Sequence, residues 1–314
     1  MTAVPLEMAA LTDVGRSRPH NEDAHYIDTH LRLALLCDGM GGYSSGEVAS
    51  AAAIETIVNG IRDHASPDRI LGKIDTSSGL THASMYLREQ ILIANQIIYN
   101  RAHSDAKYAG MGTTVVANFF YENRVCIAHI GDSRCYRWRR DKFQQLTRDH
   151  SLLQDQIDFG LITPEEARHA QHKNLLTKAL GIDPIVEPDI NEYRIEVGDI
   201  YLLCSDGLCD PVDDDELAAI LSAQDLELNA ALRQMIDQAN RRGGPDNITA
   251  VLVRVPEGFI EQGGWAKWRK GDSAGGQGRQ SSGSAMAVHI PIGDSSQRRL
   301  SPARARPSPA PTLP

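Results

Sequence analysis

The segment LRLALLCDGMGGYSSGEVASAAAIETI, residues 31–57, decides the fold. An apolar run leads to Asp38, a glycine-rich turn follows, and an alanine-rich stretch then carries Ile54 and Ile57 on one helical face. This order predicts a buried strand, a tight turn and an amphipathic helix. Because the acid follows the apolar run directly, we expect its carboxylate at the end of the strand, with no obvious lysine partner.

The same order of strand, glycine turn and helix is also typical of dinucleotide-binding loops, in which the helix N-terminus holds a pyrophosphate. Two details oppose that interpretation. Ser44 stands at the third glycine position, and Asp38 would direct a negative charge to where the diphosphate must lie. An acid followed by glycine instead leaves a carboxylate and a main-chain carbonyl open to a cation, so a metal site is favoured.

Two other phosphate-binding devices are absent from the sequence. No Walker A lysine follows the glycines, and none of the five cysteines is followed six positions later by arginine. Nucleotide cradling by a P-loop and a cysteine nucleophile in an arginine-bearing phosphate loop are therefore excluded.

Three further aspartates repeat the placement of Asp38. They are Asp132 in VCIAHIGDSR, Asp206 in IYLLCSDGL and Asp246 in RRGGPDNITAVLV, each beside an apolar run and a glycine or glycine turn. Several uncompensated acids in one place predict a site for divalent cations. Hard oxygen ligands suit Mg²⁺ or Mn²⁺ better than a metal that prefers thiolates.

Length and composition limit the classes of function. The chain has 314 residues, of which 41% are hydrophobic and 23% charged, as expected for a globular protein with a substantial core. A net charge of −9 opposes recognition of nucleic acid or anionic membrane by bulk electrostatics. Neither a signal peptide nor the roughly 18 apolar residues of a membrane helix occurs, and the five cysteines form no CxxC pair. We expect a cytoplasmic monomer with no membrane or nucleic-acid partner.

The chain divides into a folded part, 1–255, and a tail, 256–314, whose Gly, Ser, Gln, Arg and Pro content predicts disorder. Within the folded part, strand patterns and helix patterns alternate in groups, which predicts mostly antiparallel sheets with a helical layer. The predicted strands are 24–28, 31–37, 113–121, 124–130, 134–139, 199–204 and 248–255, and the predicted helices are 46–62, 80–103 and 230–241.

Seven short motifs occur in a fixed order along residues 9–255. They are RSRPHNED (16–23), DGMGG (38–42), GTT (112–114), GDSRCY (131–136), LTRDHS (146–151), SDGLCD (205–210) and GGPDNIT (243–249). This set resembles the metal-dependent serine/threonine protein phosphatases of type 2C, the PPM family, and in particular their bacterial branch. The resemblance implies an α+β fold, a four-layer αββα sandwich of two antiparallel β-sheets flanked by helices. It also implies that 1–255 is the catalytic domain, with a flap at about 149–180.

The resemblance implies a site for two Mn²⁺ or Mg²⁺ ions, with a weaker third. Asp38 would bridge both metals, and the Gly39 carbonyl would bind one of them. Asp206 and Asp246 would bind the other. Asp132 matches the ligand of the third ion, shared with Asp206.

The resemblance also assigns residues around the metals. Glu22 would order water at the ions, and Arg18 would grip the substrate phosphate. Asp23 and Asn247 adjoin the ligands, and we expect them to support the loops through hydrogen bonds rather than to bind metal. Met40 stands where many eukaryotic members have a histidine that is proposed to protonate the leaving group.

Three other features are assigned structural roles. We interpret His129 as a packing residue and Asp149 as hydrogen-bonded support for neighbouring loops. The acidic run Asp213–Glu216 is expected at a helix N-terminus, where negative charge is favourable.

The implied reaction is hydrolysis of phosphoserine and phosphothreonine in proteins by a hydroxide that bridges the two ions, because paired metals acidify a shared water. The implied partners are phosphorylated protein substrates and a cognate serine/threonine kinase. Two alternatives stay open: a non-catalytic phosphoprotein-binding regulatory module, and small phosphomonoesters as the natural substrates.

Overall fold

The structure is a computed structural model that describes residues 4–42, 45–64, 71–168, 175–223 and 225–259. The strands are β1 (Glu7–Asp13), β2 (Asp23–Asp28), β3 (Leu33–Met40), β4 (Gly112–Thr113), β5 (Val115–Tyr121), β6 (Arg124–Ile130), β7 (Arg134–Arg139), β8 (Lys142–Gln145), β9 (Asp189–Arg194), β10 (Ile200–Cys204) and β11 (Ile248–Arg254). The helices are α1 (Ser45–His64), α2 (His82–Ser104), α3 (Leu152–Asp158), α4 (Pro164–Arg168), α5 (Asp206–Cys209), α6 (Asp214–Leu221) and α7 (Leu228–Arg241). The predicted tail lies, from residue 260 onward, outside the described residues.

The strands form two sheets, and every strand pair in them is antiparallel. One sheet has the order β1-β11-β10-β7-β8, and the other has the order β2-β3-β5-β6-β9 with β4 paired to β3. In this order β3 lies inside one sheet, and β10 and β11 lie inside the other. The acids that follow or precede these strands therefore belong to central positions of both sheets.

The sheets pack face to face, and helices cover both outer faces. On β3, Ala34 and Leu36 lie in the core between the sheets with Tyr201 and Val251, whereas Leu35 packs on the other face against α1 and α2. Because successive side chains of a strand point to opposite faces, a strand that is buried on both faces is apolar throughout. The opposite sheet is covered by α6 and α7. The predicted four-layer αββα sandwich is confirmed.

The main sequence predictions of secondary structure agree with the observed elements to within a few residues. Sequence analysis missed β1, β8 and β9, as well as the short helix α5, whereas α6 begins at the acidic run Asp213–Glu216, where a helix N-terminus was predicted. The three missed strands lie at sheet edges, and β8 and β9 read KFQQ and DINEYR. Edge strands bury only part of their surface, so their sequences lack the apolar runs by which central strands are predicted.

The flap segment (149–180) leaves the sheet after β8 and carries α3 and α4. Its two ends are tied together, since Leu152 N donates to Leu175 O (2.9 Å) and Thr177 N donates to His150 O (2.9 Å). As the sequence predicts, ITPEEA opens a helix with proline in its first turn. No helix in the part of the chain described here is long and apolar enough to cross a membrane.

Leu36→Ala tests the core between the sheets. Leu36 is fully buried, so we expect the change to lower the free energy of unfolding by about 2–5 kcal/mol, through lost burial and the cavity that remains. The control is Leu161→Ala, the same substitution at a residue that is 71% exposed, with an expected change within about 0.5 kcal/mol. Urea denaturation measures both, and equal losses would contradict the assignment of this core.

Candidate metal centre

Asp38 lies near the end of β3, opposite Asp23 of β2. Its amide donates to Thr114 Oγ1 (2.9 Å), and its carbonyl accepts from Thr114 N (2.8 Å) and Thr113 Oγ1 (2.8 Å). These contacts use the main-chain groups of Asp38. Its carboxylate is therefore the group that is left for a ligand.

The turn after Asp38 fits tightly against the start of α1, which only glycine allows. A Cβ atom on Gly39 would lie 2.2 Å from the carbonyl oxygen of Gly46 and 2.6 Å from that of Glu22. Gly39 N donates to the same Glu22 oxygen (3.2 Å). This packing brings the predicted ligand Gly39 next to Glu22, whose carboxylate accepts a hydrogen bond from the Gly46 backbone.

The two other principal predicted ligands come from the ends of neighbouring strands of the opposite sheet. Asp206 begins α5 directly after β10, and Asp246 lies just before β11. A Cβ atom on Gly207 would lie only 1.9 Å from Asn247 O and 3.4 Å from Asp246 Cβ. The absence of a side chain on Gly207 thus allows the loops that carry Asp206 and Asp246 to touch.

Asn247 connects these loops to the N-terminal segment. Its Oδ1 accepts from Glu22 N (2.8 Å), and its Nδ2 donates to Val14 O (2.9 Å) and His20 O (2.8 Å). The side-chain amide is thus fully used in holding the loop that carries Arg18 and Glu22. This is the hydrogen-bonded support expected from the sequence.

Asp23 has a similar bridging position. Its Oδ2 accepts from Ser205 Oγ (2.8 Å), and that hydroxyl in turn accepts from Thr249 N (3.0 Å), so Asp23 links one sheet to the other. Burial raises the pKa of Asp23 to about 6, although hydrogen bonds from Thr249 and Ser205 lower it.

The acids of the site repel one another in a buried setting. Burial raises the pKa of Asp38 well above its ordinary value, and the negative charges of Asp23 and Asp206 raise it further. Burial likewise raises the pKa of Asp206, with added repulsion from Asp132 and Asp246. A positive charge bound between them would therefore lower both pKa values and favour the charged carboxylates.

The buried oxygens provide a direct test of whether a cation fits. Asp206 Oδ1 and Asp23 Oδ1 are buried and have no hydrogen-bond partner among the described residues. Such orphaned acceptors are costly in a folded protein unless something binds them. Mutually repelling carboxylates with unsatisfied oxygens, next to a carbonyl-bearing glycine turn, fit Mn²⁺ or Mg²⁺.

Asp132 follows Gly131, whose positive φ of 102° makes the turn between β6 and β7. Burial, together with repulsion from the charge of Asp149, raises the pKa of Asp132 to about 7. Asp132 and Asp206 line the same cavity. Asp149 is held by Arg134 through contacts of 2.7–3.1 Å, which is the supporting role expected for it.

Arg18 lies at the edge of the site, but its guanidinium is paired with a predicted ligand. Arg18 Nη2 donates to Asp246 Oδ2 at 2.6 Å, and the Arg18 side chain is 48% exposed. The sequence placed Arg18 at the phosphate and did not predict this pair. A cation on Asp246 would compete with the guanidinium and release it toward a substrate.

A second cluster of potential ligands lies near the base of the flap segment. His129, His150 and Asp189 bring donor atoms within 4.8 Å of one another, and sequence analysis identified only His129, as a packing residue. The Lys178 ammonium lies 3.4 Å from both His150 Nε2 and Asp189 Oδ1, where it supplies a positive charge. His150 Nδ1 accepts from Gly131 N (3.2 Å), which leaves the proton on Nε2. The cluster therefore connects the base of the flap segment, through His150, to β6 and β9, which carry His129 and Asp189.

Comparisons with known proteins agree with this geometry. The family model described as protein phosphatase 2C matches residues 15–254. The serine/threonine protein phosphatase PstP of Mycobacterium tuberculosis is 37% identical over 250 residues, which are 80% of this chain. The match spans only 45% of the length of PstP. Protein phosphatase PhpP of Streptococcus pneumoniae is 35% identical over 255 residues, which cover 80% of this chain and 98% of PhpP.

A solved structure extends the comparison to three dimensions. The catalytic domain of PstP in complex with two manganese ions superposes with a TM-score of 0.69 at 37% identity. The superposition covers 81% of this chain and 99% of that domain.

Metal binding is expected to stabilise this site independently of any activity. Saturating Mn²⁺ should raise the melting temperature by about 5–10 °C, because a ligand at 100 times its Kd adds about 2.7 kcal/mol to stability. Asp206→Asn should lose this shift and, without metal, be at least as stable as the unaltered chain, since one repelling charge is gone. Asp237→Asn on the exposed face of α7 is the control. Differential scanning calorimetry with Mn²⁺ and with chelator measures these melting temperatures. If Mn²⁺ raised the melting temperature of Asp206→Asn as much as that of the unaltered chain, the site would be contradicted.

Proposed function

The chain belongs to the protein phosphatase 2C family, and from this premise we propose that it hydrolyses phosphoserine and phosphothreonine in proteins with Mn²⁺ or Mg²⁺. The observation that carries the proposal is the meeting of acids from both sheets at one edge of the sandwich, with Asp206 Oδ1 buried and unpartnered among the described residues. The two manganese ions in complex with the catalytic domain of PstP support the same choice of metal.

In this proposal the acids divide between the ions as the family resemblance implies. Asp38 and the Gly39 carbonyl would hold one ion, while Asp38, Asp206 and Asp246 would hold the other. Asp132 would join Asp206 at a weaker third ion. When bound, the pair of ions supplies a bridging hydroxide as nucleophile and neutralises charge on the phosphoryl oxygens.

The residues of the chain itself orient the reactants. The main chain of Glu22 is held by Gly39 and Asn247, and its carboxylate accepts a hydrogen bond from the Gly46 backbone; from this position it would order water. Arg18 can present a fork of N–H donors to the phosphate once Asp246 is engaged by a cation. Met40 carries no dissociable proton, so the leaving alkoxide must take its proton from solvent or from another side chain.

The proposed partners are phosphorylated proteins and the serine/threonine kinase that modifies them. All five cysteines are buried and free of disulfides, which supports a reducing compartment such as the cytoplasm. The complete set of acids disfavours the alternative of a non-catalytic phosphoprotein-binding module.

The first test is activity of the full chain on a phosphothreonine peptide with Mn²⁺. We expect Asp38→Asn and Asp206→Asn each to lower the rate of phosphate release by about 1,000-fold or more, because a catalytic metal contributes several kcal/mol to the transition state. Chelation should have the same effect, and Asp237→Asn should not. Phosphate release that survives both substitutions would refute the proposal. Binding of the phosphothreonine peptide without release of phosphate would favour the regulatory module.

The second test separates the two contacts of Arg18. Arg18→Ala should raise KM for the peptide by about tenfold, with Arg18→Lys intermediate, because lysine keeps the charge but loses the bidentate fork. The affinity for Mn²⁺, measured by calorimetry, should rise or stay unchanged in Arg18→Ala, since the cation no longer competes for Asp246. An unchanged KM would contradict the phosphate role.

A further inference from the structure

The loop that carries Arg18 lies against the turn that precedes Asp246. Arg16 N donates to Gly244 O (2.8 Å), and a Cβ atom on Gly15 would lie only 2.0 Å from Asp246 O. The two segments are thus in direct main-chain contact. This contact fixes Arg16 beside the part of the chain that leads to a predicted metal ligand.

Two exposed arginines, Arg16 and Arg241, flank this contact. A Cβ atom on Gly244 would lie 2.9 Å from Arg16 Cγ, so the Arg16 side chain lies against the turn. Arg241 ends α7 three residues before Gly244, and the turn is tight because Gly244 N donates to Ala239 O (3.1 Å). We call Arg16 and Arg241 the basic rim of the metal centre.

The basic rim differs from the arginines next to it in having no acidic partner. Arg18 pairs with Asp246 at 2.6 Å, and Arg242 pairs with Glu216 at 2.7 Å. Within 4–42, 45–64, 71–168, 175–223 and 225–259, by contrast, neither guanidinium of the basic rim forms an ion pair or a hydrogen bond. Its two positive charges are therefore open to a ligand from solution.

The acids that are close to the basic rim along the chain do not neutralise it. Asp13, three residues before Arg16, accepts through Oδ1 from Gly15 N (2.9 Å) and Asn240 Nδ2 (3.2 Å). Asp237 lies one turn before Arg241 on the exposed face of α7, and an exposed pair at that spacing is weak.

A guanidinium presents a planar fork of N–H donors that matches a carboxylate or a phosphate. The chain as a whole has a net charge of −9 and repels anionic peptides, so two unpaired guanidinium groups beside the metal centre form a local exception. An extended peptide spans about 3.3–3.6 Å per residue. An anionic group within about three residues of a phosphate bound at the metals is therefore within reach of these long side chains.

We propose that the basic rim selects phosphopeptides that carry a further anionic group, a carboxylate or a second phosphate, within about three residues of the phosphorylated serine or threonine. The proposal rests on the proposed function and names its substrate class. Arg16 and Arg241 are the specificity-determining residues, and Arg18 stays with the phosphate that is hydrolysed. Peptides with basic flanks are repelled by the same charges.

The test compares three phosphothreonine peptides on the full chain with Mn²⁺: one with neutral flanks, one with two glutamates on each side, and one with a non-hydrolysable phosphonate in place of the glutamates. At low salt, kcat/KM for an anionic peptide should be about tenfold that for the neutral peptide, about threefold for each exposed ion pair. High ionic strength should reduce this ratio, because salt screens such pairs. A gain with glutamates identifies acidic residues as the recognised group, and a gain confined to the phosphonate identifies a second phosphate.

The double variant Arg16→Gln/Arg241→Gln should reduce the ratio to about two or below. Glutamine keeps Cβ and Cγ, so the packing of residue 16 against Gly244 is retained while the charge is lost. Arg16→Lys/Arg241→Lys should keep a ratio above about five, because lysine retains the charge without the fork.

The matched control is Arg88→Gln/Arg140→Gln, which removes the same charge from α2 and from the turn between β7 and β8. These arginines form surface ion pairs with Glu187 and Glu196. The ratio should keep its full value in the control, and circular dichroism checks the fold of all variants. Equal kcat/KM values for all peptides, a preference that survives Arg16→Gln/Arg241→Gln, or an equal loss in the control would overturn the inference while leaving the proposed function intact. Release of phosphate from none of the peptides would overturn both.

Discussion

The structure depends on keeping several carboxylates together against their mutual repulsion. Asp38 comes from one sheet, and Asp206 and Asp246 come from the other, so their separation is set by how the two sheets pack. The apolar core between the sheets supplies the favourable free energy that offsets this repulsion. A rigid sandwich is suited to this task, because acids on mobile loops would move apart or become protonated.

Glycines make the required close approach possible. The contacts of Gly39 with α1 and of Gly207 with Asn247 leave no room for a Cβ atom. Gly15 adds a third such contact, since its φ is +79° and a Cβ atom there would lie 2.0 Å from Asp246 O. The ligand loops are thus positioned by main-chain packing, which explains why each predicted ligand is accompanied by glycine in the sequence.

The sequence predicts central strands and the acids at their ends because both follow from local pattern. A strand that is buried on both faces has an apolar sequence, and the aspartate stands next to the end of that apolar run. Long-range pairs leave no such local signal. Arg18 contacts Asp246, 228 residues away, and His150 joins Asp189 only because β6 and β9 are neighbours. Polar edge strands such as β8 are not predicted for the same reason, because they form through pairing with a neighbouring strand and their composition carries no strand pattern.

The acids of the metal centre and those at the start of α6 have opposite effects on the free energy of folding. Asp38 is buried among like charges, and its raised pKa expresses that cost. Asp213 and Asp214 instead lie at the exposed start of α6, where Asp213 caps the helix and its amide donates to Glu216 (3.2 Å). Negative charge is favourable at a helix N-terminus, so these acids help the helix form. The acids at the start of α6 therefore favour folding, whereas those of the metal centre oppose it until a cation binds them.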